Sequence, residues 1–476
     1  MSARRKPPAS PALIRVMSSK KLLICSPSLA LHGGVETVVN NLCRDLPPFG
    51  WEPVLALARG KTFNNVDAYR EANPDLPIVE IDGTKGTRSG RLGALEKAIK
   101  RVEPHVVFSA RIFDAYEVVA RLKQRSGTPR LAIAIRGYEP HYLYDARLYK
   151  ENIDLCIVDG NLLLAACVDW SRLPAERVVS IPGGVRPPSV HAVARKAGGV
   201  LRIGYVGRLA QSDKRALDLI ALVKALEESS LHYHLSIVGN GPDEGRLRQE
   251  LASFSANGKV SFQGWKSHEE LYREIYPDLD CLVNFSPAEG VTISGREAMM
   301  HGVVPVMSQF LGIKAEGLYR HGFNALTFPV GDVSAAADNI NRLAKEPGLL
   351  EYLSANAART QTGKYTYAGA IEAWAAALDD CLERTPATGP VPKLDKPADG
   401  RLTRMGLSPA MAQRIRDLFG REYEHTDPGS EWPTGSGLIT GEAADEIMRF
   451  AVDYETSVDG NKDEPFFETK GRGYHS

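Results

Sequence analysis

The sequence has no excess of charge of either sign and no long hydrophobic segment. Its 476 residues include 58 Lys and Arg against 58 Asp and Glu, so no net positive field would hold the chain to nucleic acid. No apolar run approaches the roughly 18 residues that a transmembrane helix requires. These absences argue against a nucleic-acid-binding protein and against a membrane-spanning one.

Cysteine is scarce, and its spacing forms no ligand or redox motif. The six cysteines show no CxxC or CxxH spacing, so neither a zinc site nor a redox dithiol is indicated. The first strand–helix turn lacks the full GxGxxG pattern, which argues against a dehydrogenase. We expect reduced core thiols in a cytosolic protein at Cys25, Cys43, Cys156, Cys167, Cys281 and Cys381.

The amino-acid composition is that of a globular chain with more than one hydrophobic core. Hydrophobic residues make up 43% and charged residues 24%, the usual balance. At roughly 100–200 residues per domain, the length predicts two large domains with an appendage, or three units. Residues 1–20 combine basic residues with prolines that interrupt the apolar stretch of a signal peptide, and they are predicted to be a disordered leader.

Short apolar runs alternate with stretches of helical period, which is typical of parallel α/β sheets. The alternation occurs twice, over residues 21–185 and 200–366, and a Pro-Gly-Gly turn at 182–184 marks the boundary. We predict two Rossmann-like, doubly wound domains. Their predicted strands are 22–26, 53–57, 78–81, 105–108, 131–135, 155–158 and a short one from 178 that runs into the Pro-Gly-Gly turn in the first, and 201–206, 234–238, 260–263, 281–285 and 303–307 in the second.

The C-terminal fifth of the chain has a different composition. Residues 367–384 are Ala-rich and predicted to form a helix that packs back toward the first domain. Residues 385–399 contain several prolines and are predicted to be a linker. The tail, 400–476, is expected to be small and helical or partly disordered, and we identify no chemistry in it.

The strongest candidate site is the segment from Glu289 to Glu297, which follows a predicted strand. If the helix begins near Ser294, the preceding loop has free N–H groups suited to an anionic or polyhydroxyl ligand. Glu297 would then accept hydrogen bonds from a pair of vicinal hydroxyls. The alternative is a helix whose Glu residues only stabilise the macrodipole.

A second candidate is the loop that contains Arg208 and Lys214, directly after the first strand of the second domain. Ligands of open α/β sheets bind outside the carboxyl ends of the strands, so both cations would face a cleft and could neutralise a diphosphate. The alternative is two solvated cations. Glycines at Gly33-Gly34 and at Gly239 lie in comparable turns, where a phosphate could approach closely or where the turn is simply tight.

Together these motifs resemble the retaining glycosyltransferases of the GT-B fold, glycosyltransferase family four, also called glycosyl transferases group 1. The resemblance runs from about residue 21 to 383. It rests on Gly207-Arg208 with Lys214, Val238–Pro242 with Leu247, Phe262–Trp265, Glu289–Glu297 with Ala298-Met299, Gly302–Val306, and Gly33–Glu36.

The resemblance implies a nucleotide-sugar donor in the second domain and an acceptor on the first, without a cofactor or an obligatory metal. It places Glu297 on the ribose, Arg208 and Lys214 on the diphosphate, and Glu289 on the transferred sugar. Arg208, Lys214 and Glu289 are the catalytic candidates. The remaining donor contacts are assigned to Gly33, Gly34, Gly239, Trp265, Gly290, Val291, Thr292 and Ile293.

Two departures from the family pattern concern the sugar and the acceptor. Arg136-Gly137 stands where many relatives have His-Gly, and Arg136 cannot act as a general base, although it could contact an anionic group. His141 lies nearby in sequence as an alternative. Val291-Thr292 replaces the usual Phe-Gly.

The predicted function is sugar transfer to a glycan or lipid-linked acceptor in envelope polysaccharide (lipopolysaccharide) biosynthesis. An inactive nucleotide-sugar-binding or scaffold subunit and a GT-B nucleotide-sugar epimerase are the alternatives. Residues 85–101 hold six cations against one acid. They form either a solvated face or a weak contact with an anionic membrane, at the inner face of the plasma membrane.

Overall fold

The computed structural model describes residues 19–29, 31, 33–188, 199–362, 365–394, 400–419 and 425–458. Most of the predicted leader, 1–20, lies outside these residues. So do 395–399 of the predicted linker and 459–476 of the predicted tail. Among the residues described, no helix combines the length and the apolarity that crossing a bilayer requires.

The first domain is a seven-stranded parallel sheet with strand order β3-β2-β1-β4-β5-β6-β7. Buried, β-branched and leucine-rich runs form its strands, as expected where both faces of a sheet are covered. Its elements are β1 (Lys20–Pro27), α1 (Gly34–Asp45), β2 (Trp51–Arg59), α2 (Val66–Ala72), β3 (Ile78–Asp82), α3 (Arg88–Val102), β4 (Val106–Ser109), α4 (Asp114–Ser126), β5 (Arg130–Ile135), α5 (Pro140–Leu148), β6 (Leu155–Val158), α6 (Asn161–Ala165) and β7 (Val178–Ser180).

The second domain is a six-stranded parallel sheet with order β10-β9-β8-β11-β12-β13. Its elements are β8 (Leu201–Val206), α7 (Gln211–Lys214), α8 (Asp218–Glu228), β9 (Tyr233–Val238), α9 (Glu244–Glu250), α10 (Ala252–Ala256), β10 (Val260–Gly264), α11 (His268–Glu270), β11 (Cys281–Asn284), α12 (Ile293–Met300), β12 (Val304–Ser308), α13 (Ile313–Glu316), β13 (Leu326–Phe328), α14 (Val333–Lys345) and α15 (Leu349–Thr362).

Five further helices follow: α16 (Tyr367–Glu383), α17 (Gly400–Arg404), α18 (Pro409–Leu418), α19 (Pro428–Glu431) and α20 (Gly441–Ser457). The side chains of α16 belong to the same apolar cluster as α1 and one face of the first sheet. Those of α20 belong to the cluster on the opposite face, with α3, α4 and α5. The chain thus returns to the first domain after the second is complete.

The prediction of two doubly wound parallel α/β domains is confirmed. The predicted strands match observed strands, but β13 was missed because three residues are too few to show a period. All six cysteines are buried and none forms a disulfide, and burial raises the pKa of the Cys25 thiol to about 12.

The two chain segments that cross between the domains pair with each other. Val185 donates its N–H to the carbonyl of Tyr365 at 2.9 Å, and Tyr367 donates to Val185 at 3.0 Å. A Cβ on Gly184 would lie 2.4 Å from the Cα of Tyr367, so only glycine permits this crossing.

Candidate functional site

In each sheet the strand order reverses between two neighbouring strands, which are β1 and β4 in the first domain and β8 and β11 in the second. Ligands of open α/β sheets bind in the crevice that such a reversal leaves at the carboxyl ends of the strands. The loops after β1, β8 and β11 carry most of the candidate residues. Both crevices are therefore lined by residues that the sequence had singled out.

At the second-domain crevice the structure brings Lys214 and Glu289 together. The Lys214 amino group donates a hydrogen bond to the Glu289 carboxylate, and these side chains are only 28% and 14% exposed. Arg208 lies on the same loop as Lys214, but its guanidinium binds Asp213 and is 63% exposed. The two candidate cations thus have different partners, and only Lys214 contacts the Glu289 loop.

The glycines after β9 allow two turns to touch. Gly239 has a φ of +130°, and a Cβ there would lie 2.0 Å from the carbonyl oxygen of Gly207. Gly239 therefore permits a backbone approach beside the Arg208 loop. Asp243 is the N-cap residue of α9, but its carboxylate makes no capping bond; it accepts the N–H of Gln211 at 2.7 Å and ties the two turns together.

Helix α12 begins one residue earlier than the sequence suggested, at Ile293, with Thr292 as its N-cap residue. Ile293 is therefore the first helical residue rather than the end of a loop. The Thr292 hydroxyl is hydrogen-bonded to Tyr319, and Val291 is buried in the apolar cluster that contains Tyr319. These two side chains pack into the second domain, so any donor contact from them has to be made through the backbone.

Glu297, four residues into α12, is buried, and each of its carboxylate oxygens has a protein partner. The Tyr276 hydroxyl donates to Glu297 Oε2 at 2.6 Å, and His268 Nε2 lies 3.1 Å from Oε1. The His268 ring stacks on Tyr272 with centroids 4.1 Å apart. His268 and Tyr272 also line a cavity of about 280 Å³ together with Arg186.

Sequence reasoning missed both partners of Glu297. Tyr276 and His268 precede it by 21 and 29 residues, and in the chain they come before β11 whereas Glu297 comes after it. Only the packing of these segments against α12 joins them, and no spacing rule could have indicated it. Trp265, which follows β10, is 47% exposed.

The two glycines of the first-domain turn differ in their surroundings. Gly33 is the N-cap residue of α1, with an extended φ of 176°, and a Cβ on it would lie 2.4 Å from Glu36 Oε2. Among the residues that the structure describes, a Cβ on Gly34 would have no atom within 4 Å. Packing against those residues therefore does not require glycine at 34, which suits the approach of a ligand to the start of a twelve-residue helix.

The Glu289 loop lies against the ends of β5 and β6. A Cβ on Gly290 would be 3.1 Å from the Arg136 carbonyl oxygen and 3.2 Å from that of Asp159. Arg136 Nη2 binds the Asp159 carboxylate at 3.1 Å. Burial raises the pKa of Asp159, and the charge of Arg136 opposes that shift.

His141, the sequence alternative to Arg136, is turned toward the C-terminal segment. Its ring lies 3.9 Å from that of Tyr142, and a Cβ on Gly435 would come within 2.8 Å of it. Burial lowers the pKa of His141. Asp278 and Asp280 both bind Arg202.

Glu316, the last residue of α13 in the second domain, accepts hydrogen bonds from the first domain. Its Oε1 accepts the N–H of Asn161 at 2.6 Å, at the first turn of α6. Burial raises the pKa of Glu316 to about 7, although hydrogen bonds from the Leu162 and Asn161 amides lower it. A carboxylate whose folded pKa exceeds its ordinary 4.5 contributes stability below about pH 4.5 and loses that contribution as the pH rises through about 7.

We therefore expect Glu316→Gln to become more stable relative to the wild type as the pH rises. The amide cannot ionise, so the difference in melting temperature, variant minus wild type, should increase between pH 5 and pH 8. Thermal unfolding across that range measures it, with the exposed Glu446→Gln as the matched control. A difference that stays constant with pH would contradict the assignment.

Comparison with known proteins bears on the second domain and on the fold. Residues 201–346, in the second domain, match the family model described as Glycosyl transferases group 1. A search of curated protein sequences returned no match.

Solved structures that are similar to this chain include several glycosyltransferases. The chain is 16% identical to the apo lipopolysaccharide outer core galactosyltransferase WaaB, with a TM-score of 0.59, covering 75% of this chain and 99% of that one. It is 17% identical to Anabaena Alr3699/HepE in complex with UDP and glucose, with a TM-score of 0.59 and coverages of 76% and 99%. The pneumococcal O-GlcNAc transferase GtfA in complex with UDP and GlcNAc is 13% identical, with a TM-score of 0.63 and coverages of 77% and 100%. The predicted GT-B fold is confirmed.

Proposed function

We propose that this chain is a retaining glycosyltransferase that moves a sugar from a nucleotide-sugar donor, held by the second domain, to a hydroxyl of a glycan or lipid-linked acceptor on the first. The observation that carries the proposal is the crevice between β8 and β11, where Lys214 meets Glu289 and Glu297 lies buried on α12. In this crevice the cations would bind a diphosphate and the buried carboxylate would bind a ribose. The crevice belongs to the domain that matches a glycosyltransferase family.

The chemistry follows from where charge develops. Cleavage of the anomeric C–O bond puts negative charge on the departing diphosphate, and Lys214 and Arg208 stabilise that charge electrostatically. A double displacement would need a free carboxylate nucleophile. The resemblance gives Glu289 the role of binding the transferred sugar, which favours same-face substitution, in which the diphosphate helps to take the acceptor proton.

Donor binding has to displace interactions that the free protein makes with itself. His268 is 42% exposed at its side chain, whereas Tyr276 is buried. A ribose would therefore replace His268 on Glu297 while Tyr276 continues to hold the carboxylate. The phosphates would likewise compete with Glu289 for Lys214 and with Asp213 for Arg208.

The donor nucleotide and the acceptor class are proposed from likeness. The structures with UDP bound support a uridine donor, and the likeness to an outer core galactosyltransferase supports an envelope polysaccharide acceptor. The donor site needs no metal in this proposal, because the cations carry the charge. Nucleotide-sugar use and six buried free thiols favour the cytoplasm.

Several basic side chains of the segment 85–101 are paired with acidic residues, which lowers the positive charge that the segment could offer to a membrane. Arg91 is buried against Asp114 at 2.6 Å, Arg88 binds Glu117, and Lys100 pairs with Glu96 at 2.7 Å. A membrane contact through this segment stays a prediction, and salt-sensitive cosedimentation with anionic vesicles measures it.

A thermal-shift panel of nucleoside diphosphates and nucleotide sugars tests the proposed function. A ligand at 100 times its dissociation constant stabilises a protein by about 2.7 kcal/mol. Nucleotides with one base, expected to be uracil, should therefore raise the melting temperature. Transfer is then assayed with that donor over an acceptor panel. No shift with any nucleotide would overturn the donor site. Tight binding without turnover would favour a scaffold subunit, and a changed sugar with little free nucleotide would favour an epimerase.

A further inference from the structure

Beyond the region that resembles known glycosyltransferases, the C-terminal segment 425–458 is built into the first domain. Glu431 and Trp432, at the end of α19, are each 2% exposed. The Trp432 indole donates to the Arg59 carbonyl oxygen at 3.0 Å, at the end of β2. A Cβ on Gly83, which follows β3, would lie 2.5 Å from the Trp432 ring. The segment thus covers the carboxyl ends of β2 and β3.

The Glu431 carboxylate binds a whole loop. It accepts the backbone N–H groups of Thr62, Phe63 and Asn64 at 2.9, 3.0 and 2.9 Å, and the Asn64 side-chain amide at 2.9 Å. Burial opposes ionisation of Glu431, but these hydrogen bonds outweigh it and lower its pKa. A Cβ on Gly60 would lie within 2.4 Å of both carboxylate oxygens, so the loop can close around the carboxylate only with glycine there.

The hydrogen bonds continue from this loop to the end of β1. Asn64 Oδ1 accepts the N–H of Ser28 at 3.1 Å, and the Ser28 hydroxyl donates to the Ala58 carbonyl oxygen at 2.7 Å. Ser28 is the first residue after β1, on the connection that leads to Gly33 and the start of α1. A carboxylate of the C-terminal segment therefore holds residues 62–64, which follow β2, and through Asn64 also holds Ser28, where the loop after β1 begins.

The same segment is anchored farther along the sheet and reaches the second domain. The Pro433 carbonyl oxygen accepts the Phe113 N–H at 3.2 Å, and Ser436 donates its N–H to Asp145 at 2.8 Å. The Tyr138 hydroxyl donates to the Ile447 carbonyl oxygen at 3.1 Å. Glu455, near the end of α20, accepts the N–H of Lys314 in α13 at 2.6 Å. These anchors fix Glu431 relative to both sheets.

We propose that Glu431 is a positioning residue for sugar transfer, acting through Asn64 and Ser28 on the loops that receive the acceptor and approach the distal phosphate of the donor. This inference rests on the proposed function. Displacement of reacting groups by about 1 Å can cost about 100-fold in rate, whereas the nucleotide site, on the other domain, does not contact Glu431 and should keep its affinity.

The test compares Glu431→Gln with Glu446→Gln, the same substitution at an exposed position of α20. Glutamine keeps the size but removes the charge that four N–H groups share. We expect kcat for transfer to fall about 10- to 100-fold, while the nucleotide dissociation constant stays within about twofold of wild type. Glu446→Gln should behave as wild type. Unchanged transfer, or an equal loss of transfer and of nucleotide affinity, would overturn the proposal.

Hydrogen exchange separates failure of this inference from failure of the proposed function. If the wild type transfers no sugar, the proposed function is wrong, but the hydrogen bonds that run from Glu431 through Asn64 to Ser28 can still be tested. Glu431→Gln should then speed amide exchange at residues 62–64 and also at Ser28. Faster exchange confined to residues 62–64 would show that Glu431 holds one loop only, and would overturn its positioning role.

Discussion

Replacing Lys214 by alanine is expected to lower kcat for sugar transfer by about 100- to 1,000-fold, the range seen when one group that stabilises developing anionic charge is removed. Lys214 is the cation that meets the Glu289 loop in a largely buried pair. Charge interactions there are less screened than at a surface. Arg208, with its guanidinium 63% exposed, should matter less, so Arg208→Ala is expected to cost no more than about tenfold.

The measurement is steady-state transfer with a saturating donor, and the matched control is Lys224→Ala, which removes an exposed lysine from α8. The nucleotide dissociation constant is measured alongside, because Lys214 acts mainly on charge that develops in the transition state. Equal losses of kcat in the Lys214 and Lys224 variants, or an active Lys214→Ala, would refute the role.

Replacing Glu297 by glutamine is expected to weaken nucleotide binding by about 100-fold. A carboxylate can accept a hydrogen bond from each of two vicinal hydroxyls, and hydrogen bonds to a charged group contribute about 1.5–3 kcal/mol. Glutamine offers one acceptor oxygen and no charge. Because Glu297 is buried beside Tyr276, an amide of the same size disturbs the packing less than alanine.

Titration of the nucleotide into Glu297→Gln measures this effect, with Glu274→Gln, a partly exposed residue of the neighbouring segment, as the control. A 2′-deoxy donor nucleotide adds a second comparison. It should bind the wild type more weakly and lose little further affinity in the variant, since the hydroxyl and the carboxylate act on each other. Additive losses would place the ribose elsewhere.

The order of the helices and strands could be predicted because it depends on local pattern. Buried parallel strands are short apolar runs, and amphipathic helices repeat every 3.6 residues. The loops after β8 and β11 could likewise be singled out, since parallel topology puts every βα loop at one edge of the sheet. The start of α12 was displaced by one residue because backbone geometry, not side-chain pattern, decides a helix terminus.

The C-terminal segment shows where such reasoning stops. Residues 400–476 suggested only amphipathic helices and no chemistry, yet Glu431 is bound by four N–H donors. Residues 385–394, expected to form part of a linker, pack along the first domain. There the Ala387 N–H donates to Asp154 at 2.6 Å and the Gly389 carbonyl oxygen accepts from Gln124 at 2.9 Å. Neither contact has a signal in sequence, because the partners are more than 200 residues apart.

The sequence by itself determined the two doubly wound sheets and the segments after β8 and β11 on which Arg208, Lys214, Glu289 and Glu297 lie, since periodicity and turn chemistry act over a few neighbouring residues. Tertiary structure alone decided the partners of those residues: Asp213 for Arg208, Glu289 for Lys214, and Tyr276 with His268 for Glu297. A side chain's charge partner depends on which distant segments pack together, and that packing is a property of the whole folded chain.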